Sequence, residues 1–441
     1  GAETVVCESR YPYTDRCQDD EVCICEMSQA DSAQVEKIIE IAEADPAGWR
    51  KTTLEERHRI MYEAANRLAD MRGDLIGCMC AVTGKTVIEG DVEVSEAVDY
   101  ARFYTTAMKK FAALDDVEMK PKGTILVISP WNFPCAIPVG GIVAGLAGGN
   151  TVILKPATVA APVAWMFAKA FWDAGVPKEA LQVIITRREA LKVLTTAPAI
   201  KHIILTGGTD TAQNIAKANP TTPLSAETGG KNVIILTASG DRDHAIMNIV
   251  TSAFGNAGQK CSACSLLLVE RSVYEDENFR SKLKDAATSL KTGSVWNAGN
   301  IVGPMITNKN DKLLQAFNLE PGESWLVPPH FIDHREYILA PTVKWGVKPE
   351  SFSFRTELFG PLLSVACIEN LEEGIKLVNG LDYGLTSGLQ SLDEKEQKLW
   401  KNSVMAGNLY INRGITGAIV NRQPFGGMKL SAFGGGIKAG G

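Results

Sequence analysis

Two cysteines three positions apart close the stretch FGNAGQKCSACS, residues 254–265. Such a pair serves one of three ends: a nucleophilic thiolate, half of a metal site, or two small core side chains. A structural zinc site needs a second Cys or His pair at short spacing, and His330 and His334 lie far downstream without it, so no metal is expected. Cys264 leads into the apolar run SLLLVE and reads as a core thiol. Cys261 follows Gly258 and Lys260 in a turn, where amides or a cation lower a thiol pKa and favour a nucleophile.

Four further segments carry chemistry, each with a plainer alternative. In SPWNFPCAIP, prolines at 130, 134 and 138 stiffen the backbone while Asn132 offers an amide donor suited to a developing oxyanion, or to its own turn. Lys155 of LKPA ends an apolar run, where an amine either snorkels to water or meets an anionic or ribose group. Gly207 and Gly208 of LTGGT precede a helical stretch, so their amides either face a pyrophosphate or form an ordinary turn. Glu227 of AETGGKN stands before two glycines that permit close backbone approach, or is an exposed loop carboxylate.

These segments need a scaffold, and the chain supplies one of α/β type. The stretches SAQVEKIIEIAEA and TLEERHRIMYEAANRLADMR have helical periodicity, the second with Thr53 and Glu56 at capping-box spacing. From residue 123 the short β-branched runs TILVIS, TVILKP, LQVIIT and KHIILTG alternate with stretches of helical length, which predicts a parallel sheet with crossover helices. A second α/β stretch starts near 241 with RDHAIMNIVTSAF, SLLLVE and ENFRSKLKDAATSL, followed by ILAPTVKW and PLLSVACI. Ligands in open sheets sit beyond the carboxyl ends of strands, and the motif loops are expected there.

A length of 441 residues implies two or three domains, and 45% hydrophobic with 22% charged residues is the composition of an ordinary soluble protein. The net charge of −6 gives no basic surface for nucleic acid. Apolar runs such as AIPVGGIVAGLA fall short of the roughly 20 residues of a membrane span, and no leader is evident. Ten cysteines scattered along a long chain read as reduced thiols in a cytoplasm. The chain begins with Gly and stops within IKAGG, as an excerpt of something longer would.

Taken in order, PWNFP, LKPA, TGGT, AETGGK, GQKCSA and ELFGP resemble the motif series of the aldehyde dehydrogenase superfamily, along essentially the whole chain. GNLYINRGITGAIVNRQPFGG, with SEAVDYARFY nearer the front, is similar to the L-glutamate γ-semialdehyde (Δ1-pyrroline-5-carboxylate) dehydrogenases of proline catabolism. That resemblance implies an α/β, aldehyde dehydrogenase-like fold. Its parts would be a Rossmann-like NAD-binding domain over 1–110 and 123–239, a catalytic α/β domain over 240–425, and remnants of a shortened oligomerisation arm at 111–122 and 426–441. The segment around VIITRREALKVL also looks shorter than in relatives.

The same resemblance assigns roles. Cys261 is the nucleophile, Asn132 with the Cys261 amide steadies the oxyanion, and Glu227 activates water against the thioester. NAD is the implied cofactor, bound by Ile128, Pro130, Trp131, Lys155, Gly207 and Gly208, with Glu357 on the nicotinamide ribose and Phe359 near the ring. Thr158 stands where many relatives carry a carboxylate that repels a 2′-phosphate, so NADP is also admitted. Ser262 and the amides of Gly417 and Ala418 match the loop for a substrate carboxylate, Phe425 its aromatic wall, Glu96 the ammonium partner, and Phe133 a ring against the methylene chain. Oxidation of the semialdehyde to L-glutamate by a homodimer or larger assembly, with a proline dehydrogenase domain or partner, is what the likeness implies. An aldehyde dehydrogenase for another aldehyde, including a CoA-acylating one, and a catalytically silent domain of a larger complex are the rival readings; Glu227 argues for hydrolysis.

Overall fold

The computed structural model describes residues 7–15, 17, 22–186, 188–434 and 439–440, so the expected domain and arm limits at 1–6, 435–438 and 441 lie outside the described residues. Two compact units emerge. One runs to Glu227 and is rejoined by Ile419–Pro424 and the chain from Phe433; the other comprises Thr228–Ala418 and Phe425–Ala432.

In the first unit the β-branched runs form five parallel strands, in the order Leu224–Glu227, Ile200–Thr206, Thr124–Ile128, Thr151–Lys155, Leu181–Val183. Every residue of Thr124–Ile128 is buried, as in a sheet covered by helices on both faces. The chain winds outward from Thr124–Ile128 through the next two strands and then returns to its other side. The order therefore reverses between Thr124–Ile128 and Ile200–Thr206, the switch point beside which open α/β sheets bind ligands.

Helices Ser32–Ala44 and Leu54–Asp70 match the predicted stretches, but their caps differ from expectation. Thr53 Oγ1 accepts from the Glu56 amide at 3.2 Å, whereas the Glu56 carboxylate turns to Arg59 rather than back to residue 53. A full capping box forms instead at Asp31 and Gln34, with contacts of 2.9 and 2.8 Å. The antiparallel hairpin Arg10–Thr14 with Cys23–Ser28 had no counterpart in the sequence reading.

The second unit holds a seven-stranded sheet in the order Ser324–Val327, Thr342–Trp345, Leu362–Ile368, Cys264–Glu270, Asn232–Leu236, Thr386–Gln390, Asn408–Ile411. Its first pair is antiparallel and the remainder parallel. Asn232–Leu236 pairs with Cys264–Glu270 and Thr386–Gln390, so the division falls at 227/228 rather than at the expected 239/240. Helix Arg242–Phe254 starts at Asp241, whose carboxylate accepts from the His244 amide at 3.0 Å.

One buried side chain ties the sheet of the first unit to the helix Ala136–Ala147. Asn150, 8% exposed, accepts from the amides of Lys122 and Gly123 at 2.7 and 3.1 Å and donates to Gly145 O at 3.0 Å. Asn150→Ala leaves three backbone groups without that partner and should destabilise the unit by about 2–4 kcal/mol. Faster amide exchange at Gly123 and a lower melting temperature are the expected readouts; unchanged values would refute the latch.

Candidate active site

The first unit gathers its candidate residues at one edge of its sheet. Register pairs Ile128 with both Lys155 and Leu205, and Thr206 with Glu227, so these strands end level. The loop that leaves Ile128 is fastened at once, because Ser129 N donates to Lys155 O at 3.2 Å and Ser129 O accepts from Ala157 N at 3.0 Å. Between Pro130 and Pro134 it carries half-buried Trp131, Asn132 at 6% exposure, and half-buried Phe133. Across the switch point, Gly207 N donates to Glu227 O at 3.1 Å, and Gly208 caps helix Thr209–Ala218 without a side-chain hydrogen bond. Glu96 lies half-buried on helix Val87–Ala112; burial raises the pKa of Cys135, and the charges of Glu93 and, less, Glu96 add to that rise.

In the second unit the chain is clamped around Cys261. Asn232 Nδ2 donates to Cys261 O at 2.7 Å and to Ala263 O at 3.0 Å, while its Oδ1 accepts from Thr386 N at 3.0 Å. Gly230 makes this approach possible, since a Cβ there would lie 2.6 Å from Cys261 O. The preceding turn holds Asn256 and Ala257 in the left-handed region, at φ 52° and 54°, a cost of roughly 1 kcal/mol or more each. Buried Gln259 holds that turn by donating to Asn256 O and Pro304 O and accepting from Ile306 N. Gly258, at φ 68°, sits where a Cβ would strike the carbonyl of Gly360, which binds the cysteine turn to the ELFGP segment.

Cys261 emerges half-buried, whereas Ser262 and Cys264 are 6% and 1% exposed. Half-buried Glu357 accepts from the Gly230 amide at 2.8 Å, and Phe359 takes a left-handed φ of 52°. Gly417, at φ 78°, is exposed with open space where a side chain would project; Ala418 and Phe425 are half-buried. These eight residues belong to the second unit, and Glu96, Ile128, Pro130–Phe133, Lys155, Gly207, Gly208 and Glu227 to the first. One expectation is corrected: Cys261 and Glu357 precede strands Cys264–Glu270 and Leu362–Ile368, at the amino rather than the carboxyl ends. The turn at Gly255–Gly258 and Cys261 deliver the chain into strand Cys264–Glu270 instead of leaving one.

Residues 7–441 match the Aldehyde dehydrogenase family. The chain belongs to that family. It is 32% identical over 452 aligned positions to the 1-pyrroline-5-carboxylate dehydrogenase of Geobacillus sp. (strain WCH70), covering 98% of this chain and 87% of the relative. The crystal structure of 1-pyrroline-5-carboxylate dehydrogenase from Thermus with bound NAD superposes with a TM-score of 0.93 at 31% identity, covering all of this chain and 89% of the other. Proline utilization A (PutA) from Corynebacterium freiburgense gives 0.88 at 40% identity, covering 93% of this chain, which spans only 42% of that protein.

Two features of this aldehyde dehydrogenase fit a dinucleotide at the first edge. The helix N-terminus at Gly208 carries no side-chain cap, and burial pushes the Lys155 amine down, a cost that an anionic neighbour offsets. Three second-unit groups show similar effects of burial. The Glu357 carboxyl is pushed up, the Gly230 amide opposing. The Cys264 thiol rises to about 12, and the Lys231 amine, donating to Ser265 O at 3.3 Å, falls to about 7.

The motif residues stood out in the sequence, whereas Asn232 and Gln259 did not, although both sit inside quoted motifs, Gln259 next to Gly258 and Asn232 two residues after Gly230. Native-state alkylation near pH 8 should modify Cys261 and leave Cys264 untouched, as peptide fragmentation would locate; equal modification would refute the buried-thiol assignment. An unfolded lysine holds its proton to about pH 10.4, so above pH 7 the unfolded chain binds more protons and stability rises with pH. Relative to Lys231→Met, wild-type stability should climb by about 2 kcal/mol from pH 7 to pH 9; a constant difference excludes a neutral amine there.

Proposed function

We propose that the chain oxidises L-glutamate γ-semialdehyde, the open form of Δ1-pyrroline-5-carboxylate, to L-glutamate, with NAD as the oxidant. The observation that carries this reading is the clamped, half-buried Cys261 in a chain about 31% identical, over nearly its full length, to enzymes named for that reaction.

The Cys261 thiolate adds to the aldehyde carbon, and the alkoxide that forms accepts hydrogen bonds from the Asn132 side chain and the Cys261 amide. Fixing the Cys261 carbonyl through Asn232 orients the peptide plane that carries the thiol, so little reorganisation is needed as charge develops. Bound NAD would supply the hydride acceptor for that carbon, so that the adduct on Cys261 becomes a thioester. Ile128, Pro130, Trp131, Lys155, Gly207 and Gly208 would hold that cofactor, with Glu357 on its nicotinamide ribose and Phe359 near the ring. Glu227 then takes a proton from the water that attacks the thioester, and Cys261 leaves as thiolate.

Substrate selection follows from charge. Ser262 Oγ and the Gly417 and Ala418 amides receive the α-carboxylate, Glu96 receives the ammonium, and Phe133 and Phe425 enclose the methylene chain. The exposed apolar run Phe111, Leu114, Val117 and Met119, between 40 and 54% exposed, supports association into a homodimer or higher oligomer. Oxidation of proline, by an attached domain or a partner, supplies the substrate; ten free thiols accord with a cytoplasmic setting. NADP is admitted alongside NAD because Thr158 carries no charge to repel it.

Reduced nicotinamide should form from Δ1-pyrroline-5-carboxylate at a kcat/KM well above that for propanal, and Cys261→Ala should lower turnover at least a thousandfold, in order of magnitude, with NAD affinity kept. A preference for propanal would overturn the substrate, and undiminished turnover in the variant the nucleophile.

A further inference from the structure

We propose that Lys85 and Glu93 are positioning residues for the segment that carries Asn132 and Phe133, acting as a buried ion pair that fixes where this segment ends. The proposal rests on the oxyanion role given above to Asn132.

Both side chains are sealed, Lys85 at 1% and Glu93 at 0% exposure, and they form a direct ion pair. Local sequence places them. Helix Arg72–Thr83 ends on Gly84 in the left-handed conformation, φ 69°, which turns the chain so that Lys85 enters the interior. Thr86 caps the next helix, Val87–Ala112, and Glu93 lies in its second turn.

The carboxylate is shared three ways. Oε2 meets the Lys85 ammonium, while Oε1 accepts from Cys135 N at 2.7 Å and Ala136 N at 3.1 Å. Those amides open helix Ala136–Ala147, whose own cap residue provides no side-chain hydrogen bond. Glu93 thus serves as a cap supplied from another helix, with its charge favourably placed at the dipole's positive end. Lys85 Nζ in turn lies 4.0 Å from the centroid of the Phe133 ring, a cation–π contact made by a buried ammonium.

One pair therefore grips the segment at Phe133, Cys135 and Ala136, while the Ser129–Lys155 and Ser129–Ala157 hydrogen bonds grip its start. Asn132 lies between the two anchors. Stability alone is a weak reason for a buried ion pair, since apolar replacements of similar size are often neutral or better. Direction is what it adds: both carboxylate oxygens are committed, so its plane, the helix start and the ring all take one arrangement.

The test uses the full chain and the double variant Lys85→Met/Glu93→Gln, which removes both charges and leaves neither uncompensated. We expect kcat to fall by about tenfold or more with KM and NAD affinity changed by less than about threefold, since removing an oxyanion donor outright costs on the order of a hundredfold. In an Asn132→Ala background the same pair of changes should cost less than about twofold, the non-additivity of groups acting through one another. Exchange of the Cys135 and Ala136 amides should quicken, a readout that requires no substrate. Undiminished kcat, an equal loss in the Asn132→Ala background, or unchanged exchange would each overturn the proposal. Should the double variant lose its fold, Glu93→Gln alone carries the same comparison: its neutral amide oxygen accepts from the two backbone groups more weakly than the carboxylate does, and the ion pair with Lys85 is lost. Running each assay with propanal as well separates the outcomes: a wild type that oxidises propanal and not the semialdehyde fails the substrate reading and leaves the pair open to the same measurement.

Discussion

The hydrogen bond from Asn232 Nδ2 to the carbonyl of Cys261 is the constraint on which the chemistry proposed for the second unit depends. A thiol attached to a free turn would sample many directions, and a nucleophile gains from being held where it reacts. Asn232 removes that freedom by committing both ends of its amide, to the cysteine turn and to Thr386. Its backbone is the first residue of a central strand, so the turn inherits the rigidity of the sheet. The glycine at 230 and the left-handed residues at 256 and 257 are local concessions to this arrangement, and packing around Gln259 offsets their strain.

Much of the architecture was legible because strand and helix runs in this chain differ sharply. TILVI, TVILK and IKHIILT are short and β-branched, and each became a strand within a residue or two of its expected place; RDHAIMNIVTSAF became a helix without displacement. The hairpin at Arg10–Thr14 and Cys23–Ser28 escaped notice because its residues alternate weakly and most stay partly exposed. The unit boundary was misplaced because Asn232–Leu236 follows the first five strands without any change of composition, and only pairing assigns it elsewhere.

Candidate site residues could be picked out as motifs, but what holds them could not. Asn232 works on a residue 29 positions away, and Glu93 on amides 42 and 43 positions away. Local pattern carries no trace of such pairings. Expecting every motif at a carboxyl strand end likewise extended a rule of the first sheet to the second, where the cysteine turn feeds into a strand instead of leaving one.

The reversal of strand order in the first unit has an evolutionary corollary. Thr124–Ile128 and Ile200–Thr206 are neighbours, yet everything between them in the chain folds away toward the Leu181–Val183 margin. Trimming or lengthening that margin therefore leaves the loops at 129–135 and 207–208 on the same foundations. Residues beyond that margin's outer face can therefore vary while the same edge is presented, whereas Ile184, Ala190 and Leu194 are held in place by the core they share with Ile128 and Leu205.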